Sequence, residues 1–291
     1  MYTLALESII LSRIKKYFKC LKNNAHQGAL GYNKLMRFIV MIIACLTLQS
    51  VCLSQSYALL SENEILNKQI SLKPLPLGEK IAAWAESFVG TPYDTDPLGA
   101  YVTQSVIVMD SSADCMYLTF RSVELAETLT PESAINKALE KRFITKGILS
   151  PDGKVINYEE RYQYAMDMIN SGKWGRNITK ELAETSVIPG DRGYGPVSII
   201  HASNIVKATD RLTSGDIVFF VKDPDRRVVG EIVGHIGIIK REGNSIFLIH
   251  ASGRKSRDAS ALSPGGMVKK LLLTDYSKTM PFAGIIITRL K

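Results

Sequence analysis

The rhythm of apolar and polar positions along this chain changes near residue 212. Upstream of it the spacing is helical. Ile81, Trp84, Ala85, Phe88 and Val89 share one face and predict a helix over Glu79–Val89, which stops at Gly90-Thr91-Pro92-Tyr93. Leu118, Val123, Leu125, Ala126 and Leu129 give a second helical face, and Ser111 with Asp114 three residues on reads as a capping box that opens it. Residues 94–110, between these two helices, mix turn residues with the apolar run Val102 to Met109. Residues 130–187 read as mainly helical, with starts at Thr130-Pro131-Glu132-Ser133 and Asn157-Tyr158-Glu159-Glu160 and a turn at Pro151-Asp152-Gly153. Two stretches read as irregular: 59–78, a polar lead-in arm with Lys73-Pro74-Leu75-Pro76, and the surface loop Pro189–Pro196. Beyond residue 212 the segments are short and β-like: Ile217–Val221, Ile232–Lys240, Ser245–Ala251, Met267–Leu273 and Ile285–Leu290. Helices followed by an antiparallel sheet make the chain α+β.

Composition changes this picture at one end only. The 291 residues are 46% hydrophobic and 22% charged, enough for a substantial core, and the net charge is +8. Residues 1–58 hold seven Lys/Arg against Glu7 alone, which leaves 29 of the 36 basic and 27 of the 28 acidic residues for 59–291. A nearly neutral body is no argument for a nucleic-acid partner. Lys34 and Arg37 precede the apolar run Phe38 to Leu48, and Ser56-Tyr57-Ala58 supplies small residues for cleavage. This is a secretory signal, too short to span a bilayer, with Met36 as the natural start and 1–35 as an upstream extension. The expected product begins near Leu59, is periplasmic and carries no stable membrane insertion. Lipidation at Cys45 is the weaker alternative.

Removal of that leader takes Cys20, Cys45 and Cys52 with it and leaves Cys115 as a lone thiol. In an oxidising compartment an unpaired cysteine is a candidate for reactivity. Cys115 falls in the first turn of its helix, where free N–H groups and the helix dipole favour a thiolate, so a pKa below the ordinary ~8.5 is expected. The competing reading is a small core residue. Of the three histidines beyond the leader, His201, His235 and His250, the last two stand on successive predicted strands around Arg241-Glu242-Gly243-Asn244. A Glu242-Gly243 loop sets His235 opposite His250; a Gly243-Asn244 loop makes them diagonal neighbours on the same face. A thiol, a histidine base and a second group to orient that base make a nucleophilic constellation. One Cys and two His have no zinc-ligand spacing and no fourth ligand, so no metal or other cofactor is expected.

These motifs resemble the papain-like cell-wall cysteine peptidases of the NlpC type. The resemblance runs from the Glu79–Val89 helix through Gly90-Thr91-Pro92-Tyr93, Asp114-Cys115, Ser214 to Phe220, Gly234-His235-Ile236-Gly237 and Ile249-His250-Ala251. It implies one papain-like domain over 79–291 with an enlarged insertion at about 125–210. It also implies Cys115 as nucleophile, His235 as general base, His250 as orienting residue and Tyr93 at the rim, polarising the scissile carbonyl. Met116-Tyr117 stands where the family has Ser-Gly. With the insertion and the 189–196 loop, this is more similar to the N-acetylmuramoyl-L-alanine amidase-like subgroup. That subgroup implies cleavage of the muramoyl–L-alanine amide of anhydromuropeptides by a monomer. Asp114 would hold a free peptide amine in the endopeptidase branch and need not do so in an amidase. Tyr194 is a candidate for stacking on a sugar ring. The alternatives are a γ-D-glutamyl-diamino-acid endopeptidase and an inactive muropeptide-binding module.

Overall fold

The computed structural model describes residues 59–255 and 266–291. The expected leader over 1–58, with the cut after Ala58 and the cysteines at 20, 45 and 52, lies outside the described residues. Among the described residues, the helices of more than one turn are α1 (Glu62–Leu72), α2 (Leu77–Ser87), α3 (Cys115–Ala126), α4 (Pro131–Lys141), α5 (Ala165–Ser171) and α6 (Leu273–Thr279). The strands are β1 (Arg176–Asn177), β2 (Ser186–Ile188), β3 (Val197–His201), β4 (Ile217–Val221), β5 (Val233–Glu242), β6 (Ser245–Ser252), β7 (Met267–Leu272) and β8 (Gly284–Arg289). They form one sheet of order β2-β3-β8-β4-β5-β6-β7, with β1 paired to β8, and every pairing is antiparallel. The fold is α+β.

The period of two along a strand explains why β4 is apolar at every position. Ile217, Phe219 and Val221 enter a core shared with Trp84, Leu118 and Phe120 of α2 and α3. Val218 and Phe220 point the other way, into a second core with Ile205, Leu212 and Leu273. The sheet is thus covered on both faces, and the helices that precede it in sequence supply the larger cover.

Three segments differ from expectation. Residues 59–78 are not an arm. Ser61 and Glu64 close a capping box, with Ser61 N donating to Glu64 Oε2 at 2.7 Å, and α1 buries Ile65 and Gln69. Gln69 Nε2 donates to Thr128 Oγ1 at 3.1 Å and ties α1 to the end of α3. The 130–187 segment is only partly helical: α4 starts on its expected cap Thr130, but 143–161 is held by isolated bridges and 176–188 contributes strands β1 and β2. The run Val102 to Met109 makes no strand. It follows a single helical turn and is pinned from outside, by Tyr158 Oη donating to Val106 O at 2.6 Å and Arg142 Nη1 donating to Ile107 O at 2.8 Å.

Candidate active site

Helix α3 begins at Cys115, three residues beyond the expected start. Its N-cap is Asp114, whose Oδ1 accepts from Tyr117 N at 2.7 Å, while Ser111 stays exposed. An aspartate next to the helix satisfies the first-turn donors better than a serine four residues away. Cys115 therefore occupies the first helical position, partly exposed, with Tyr117 to Ala126 buried behind it. Most polar groups in that buried stretch are matched, Arg121 Nη1 being the exception. Glu124 takes two bonds of 2.6 Å from Arg142, and Arg121 pairs with Asp110 at 3.1 Å. Tyr117 Oη donates to Asp110 at 2.7 Å and accepts from Met109 N at 2.6 Å, which fixes the approach to the cysteine.

Tyr93 is brought alongside by backbone pairing. It bridges to Ala113 in parallel, with Ala113 N donating to Pro92 O at 3.0 Å and Asp94 N donating to Ala113 O at 3.2 Å. Burial, then the nearby Cys115 and Asp114, push the Tyr93 phenol well above its ordinary range. Its ring lies on Gly253, where a Cβ would stand 2.2 Å from Tyr93 Cγ, so only glycine admits the tyrosine there.

His235 and His250 come together as diagonal neighbours. The hairpin loop is Gly243-Asn244, with Gly243 at φ 57°, and Glu242 pairs with Ser245. Across the strands Gly237, not His235, stands by His250: a Cβ there would lie 3.3 Å from His250 Cβ. The bare position leaves room for the His235 ring to reach over, and its Nε2 meets His250 Nδ1 at 2.8 Å. A bulge adds to this aim. Phe220 pairs with His235 but Val221 with Val233, so Gly234 is the extra residue beside the histidine. The ring is enclosed by Phe220, Tyr276 and Phe282, the last stacked at 6.3 Å and 8°. Burial first, then His250, push the His235 pKa down to about 3. Burial and the charge of Lys269 opposite push His250 down to about 4. The Nε2 of His250 is buried and has no hydrogen-bond partner among the described residues.

The thiol comes near β5 one residue past that histidine, where the Ile236 N–H favours its ionised form. Its ionisation departs from the helix-dipole expectation. Burial and the Asp114 carboxylate raise the Cys115 pKa to about 12, outweighing the Ile236 N–H and Lys255, which act the other way. Thiol and imidazole are thus both held in their neutral forms.

Cys115, Tyr93, Asp114, His235 and His250 converge. Tyr194 makes its bonds elsewhere: its hydroxyl donates to Asp167, and its ring lines a groove of about 480 Å³ with Asn170, Asn177 and Thr179. Sequence reasoning missed Tyr276, which packs on His250 at 4.9 Å between ring centres, and Lys255, which pairs with Asp114 at 2.8 Å. Neither stands in a motif or at a telling spacing, since each reaches the site from the far side of a turn.

No family model matches the sequence, and no curated protein matches it. Solved structures do. An N-acetylmuramoyl-L-alanine amidase from Bacteroides uniformis superposes with a TM-score of 0.55 at 18% identity, over 74% of this chain and 99% of that one. A Legionella pneumophila protein described by the DUF1460 family model superposes with a TM-score of 0.55 at 15% identity, over 78% of this chain and 93% of that one. At these identities the likeness is one of fold, and it takes in nearly the whole length of an amidase-like protein.

Proposed function

We propose that this protein is a cysteine-dependent N-acetylmuramoyl-L-alanine amidase of the papain-like NlpC type, acting on muropeptides and anhydromuropeptides. The observation that carries the reading is the site itself. A partly exposed cysteine at the first position of a buried helix lies against the strand of a histidine whose far nitrogen is held by a second histidine at 2.8 Å. The amidase-like fold narrows the substrate to a peptidoglycan fragment.

The chemistry follows from the geometry. With Nε2 of His235 bonded to His250, Nδ1 is the nitrogen left to serve as base. It takes the Cys115 proton as sulfur attacks the lactyl carbonyl, because a thiol held neutral needs its base at the moment of attack. The oxyanion meets the free Cys115 N–H of the helix start, with Tyr93 beside it. His250 stabilises the resulting imidazolium, which returns the proton to the L-alanine nitrogen as the C–N bond breaks. Water, deprotonated by His235, then releases the acid from the acyl-thioester and restores the thiol. The enzyme works as an exported, periplasmic domain cut near Leu59. Helix α1 begins at Glu62, so that cut leaves the folded body whole.

Purified protein incubated with disaccharide-anhydromuramyl tetrapeptide should yield intact disaccharide and free tetrapeptide by mass, and Cys115→Ala should lose essentially all turnover. Release of L-Ala-D-Glu, or activity only on peptides with free N-termini, transfers the assignment to the endopeptidase reading. Retained binding with no turnover leaves a binding module.

A further inference from the structure

Both carboxylate oxygens of Asp114 are engaged within the protein. Oδ1 caps α3 through Tyr117 N at 2.7 Å, and Oδ2 accepts from Lys255 Nζ at 2.8 Å. Asp114 itself is buried, its side chain 9% exposed, while that of Lys255 is 31% exposed. Lys255 is also placed by its surroundings. Its ammonium lies 5.8 Å from the centre of the Tyr93 ring, and that ring is seated on Gly253, two residues before the lysine. Asp114, Lys255, Tyr93 and Gly253 thus form one packed unit beside Cys115.

We propose that Lys255 is the specificity-determining residue of this site: it occupies the Asp114 carboxylate beside Cys115, and so excludes peptides with a free amino terminus in favour of N-acylated ones. The inference rests on the amidase reading and deepens it. An ammonium arriving at Asp114 must displace a cation already hydrogen-bonded there and sit beside it, and like charges at such range oppose each other. An N-acylated alanine brings no charge to that spot. An ammonium carries three donors, and the bond to Asp114 uses one of them, so Lys255 can also donate to a substrate carbonyl or carboxylate.

The test uses the full exported protein and two ligands, the free tripeptide L-Ala-γ-D-Glu-diaminopimelate and the same tripeptide carrying anhydromuramic acid. The reading is the concentration of each that half-protects Cys115 from iodoacetamide, with turnover followed in parallel. Wild type is expected to be protected at lower concentration by the muramyl ligand. Lys255→Gln should move the ratio toward the free tripeptide by about tenfold or more, the size of one charge-assisted hydrogen bond, and Lys255→Arg should keep it. An unmoved ratio in Lys255→Gln, or an equal loss for both ligands, overturns the proposal, since a merely structural lysine would weaken both alike. Protection without turnover in wild type overturns the amidase reading and still leaves the ratio to judge Lys255. Protection by neither ligand overturns both.

Discussion

At the scale of the residue, Cys115 shows how far local sequence reaches. Its place in a first helical turn was legible from the Ser111–Asp114 pair and the apolar face behind it, although the cap is Asp114 itself, and the pairing of the two histidines was legible from the hairpin between them. The ionisation of Cys115 was not. The helix dipole is worth up to about 1 kcal/mol at an exposed site, whereas burying a thiolate beside a carboxylate opposes ionisation by more, and burial is a property of the folded chain. Cys115 is pushed up to about 12 and His235 down to about 3. Iodoacetamide labelling should therefore rise with an apparent pKa above the free value of about 8.5. Because the base must be neutral and its pKa is lowered, the acidic limb of kcat/KM should fall well below the ordinary histidine value of about 6.5. A labelling pKa below 7 would mean a preformed thiolate–imidazolium pair.

Single elements were legible where one face faces the core. The expected start of α4 at Thr130 and all five residues of β4 hold, because cap chemistry and a continuous apolar run are local facts. Helix α1 was masked by the prolines that follow it, although Ser61 and Glu64 carried the capping signal. Strand β3 was missed because five residues beside a Gly/Pro loop offer too short a period to tell. The buried Glu124–Arg142 pair had no signal at all, being 18 residues apart on two helices. It joins α3 to α4 and, through Ile107, to the segment before Cys115. Arg142→Met leaves the buried Glu124 carboxylate and the Ile107 carbonyl unpaired. It should destabilise by about 3–5 kcal/mol, read as a shift in urea midpoint. Adding Glu124→Leu should restore most of that loss, and a double variant no more stable than the single one would show that the pair is not the source.

At the scale of the molecule, the α+β class and the antiparallel sheet were legible from the change of rhythm near residue 212, although β1 to β3 lie before it and helix α6 after it. The order of strands was not, because register and neighbour choice depend on contacts between distant segments. The proposed leader is a whole-chain property as well. Intact mass of the protein recovered from the periplasm should correspond to a start near Leu59, and a diacylglycerol-modified Cys45 would refute that.

Strand β8 lies between β3 and β4, pairing Ile285 with Ile200 on one side and with Phe220 on the other. Until residues 284–289 have been made, β3 and β4 each present an open edge where the sheet will later be continuous. Cys115 is synthesised well before His235, and the sheet that carries the histidine closes only with a strand made after both. A growing chain therefore carries an open sheet for nearly all of its synthesis, and anything that meets it before its last strand is made meets a polypeptide that has not yet locked itself shut.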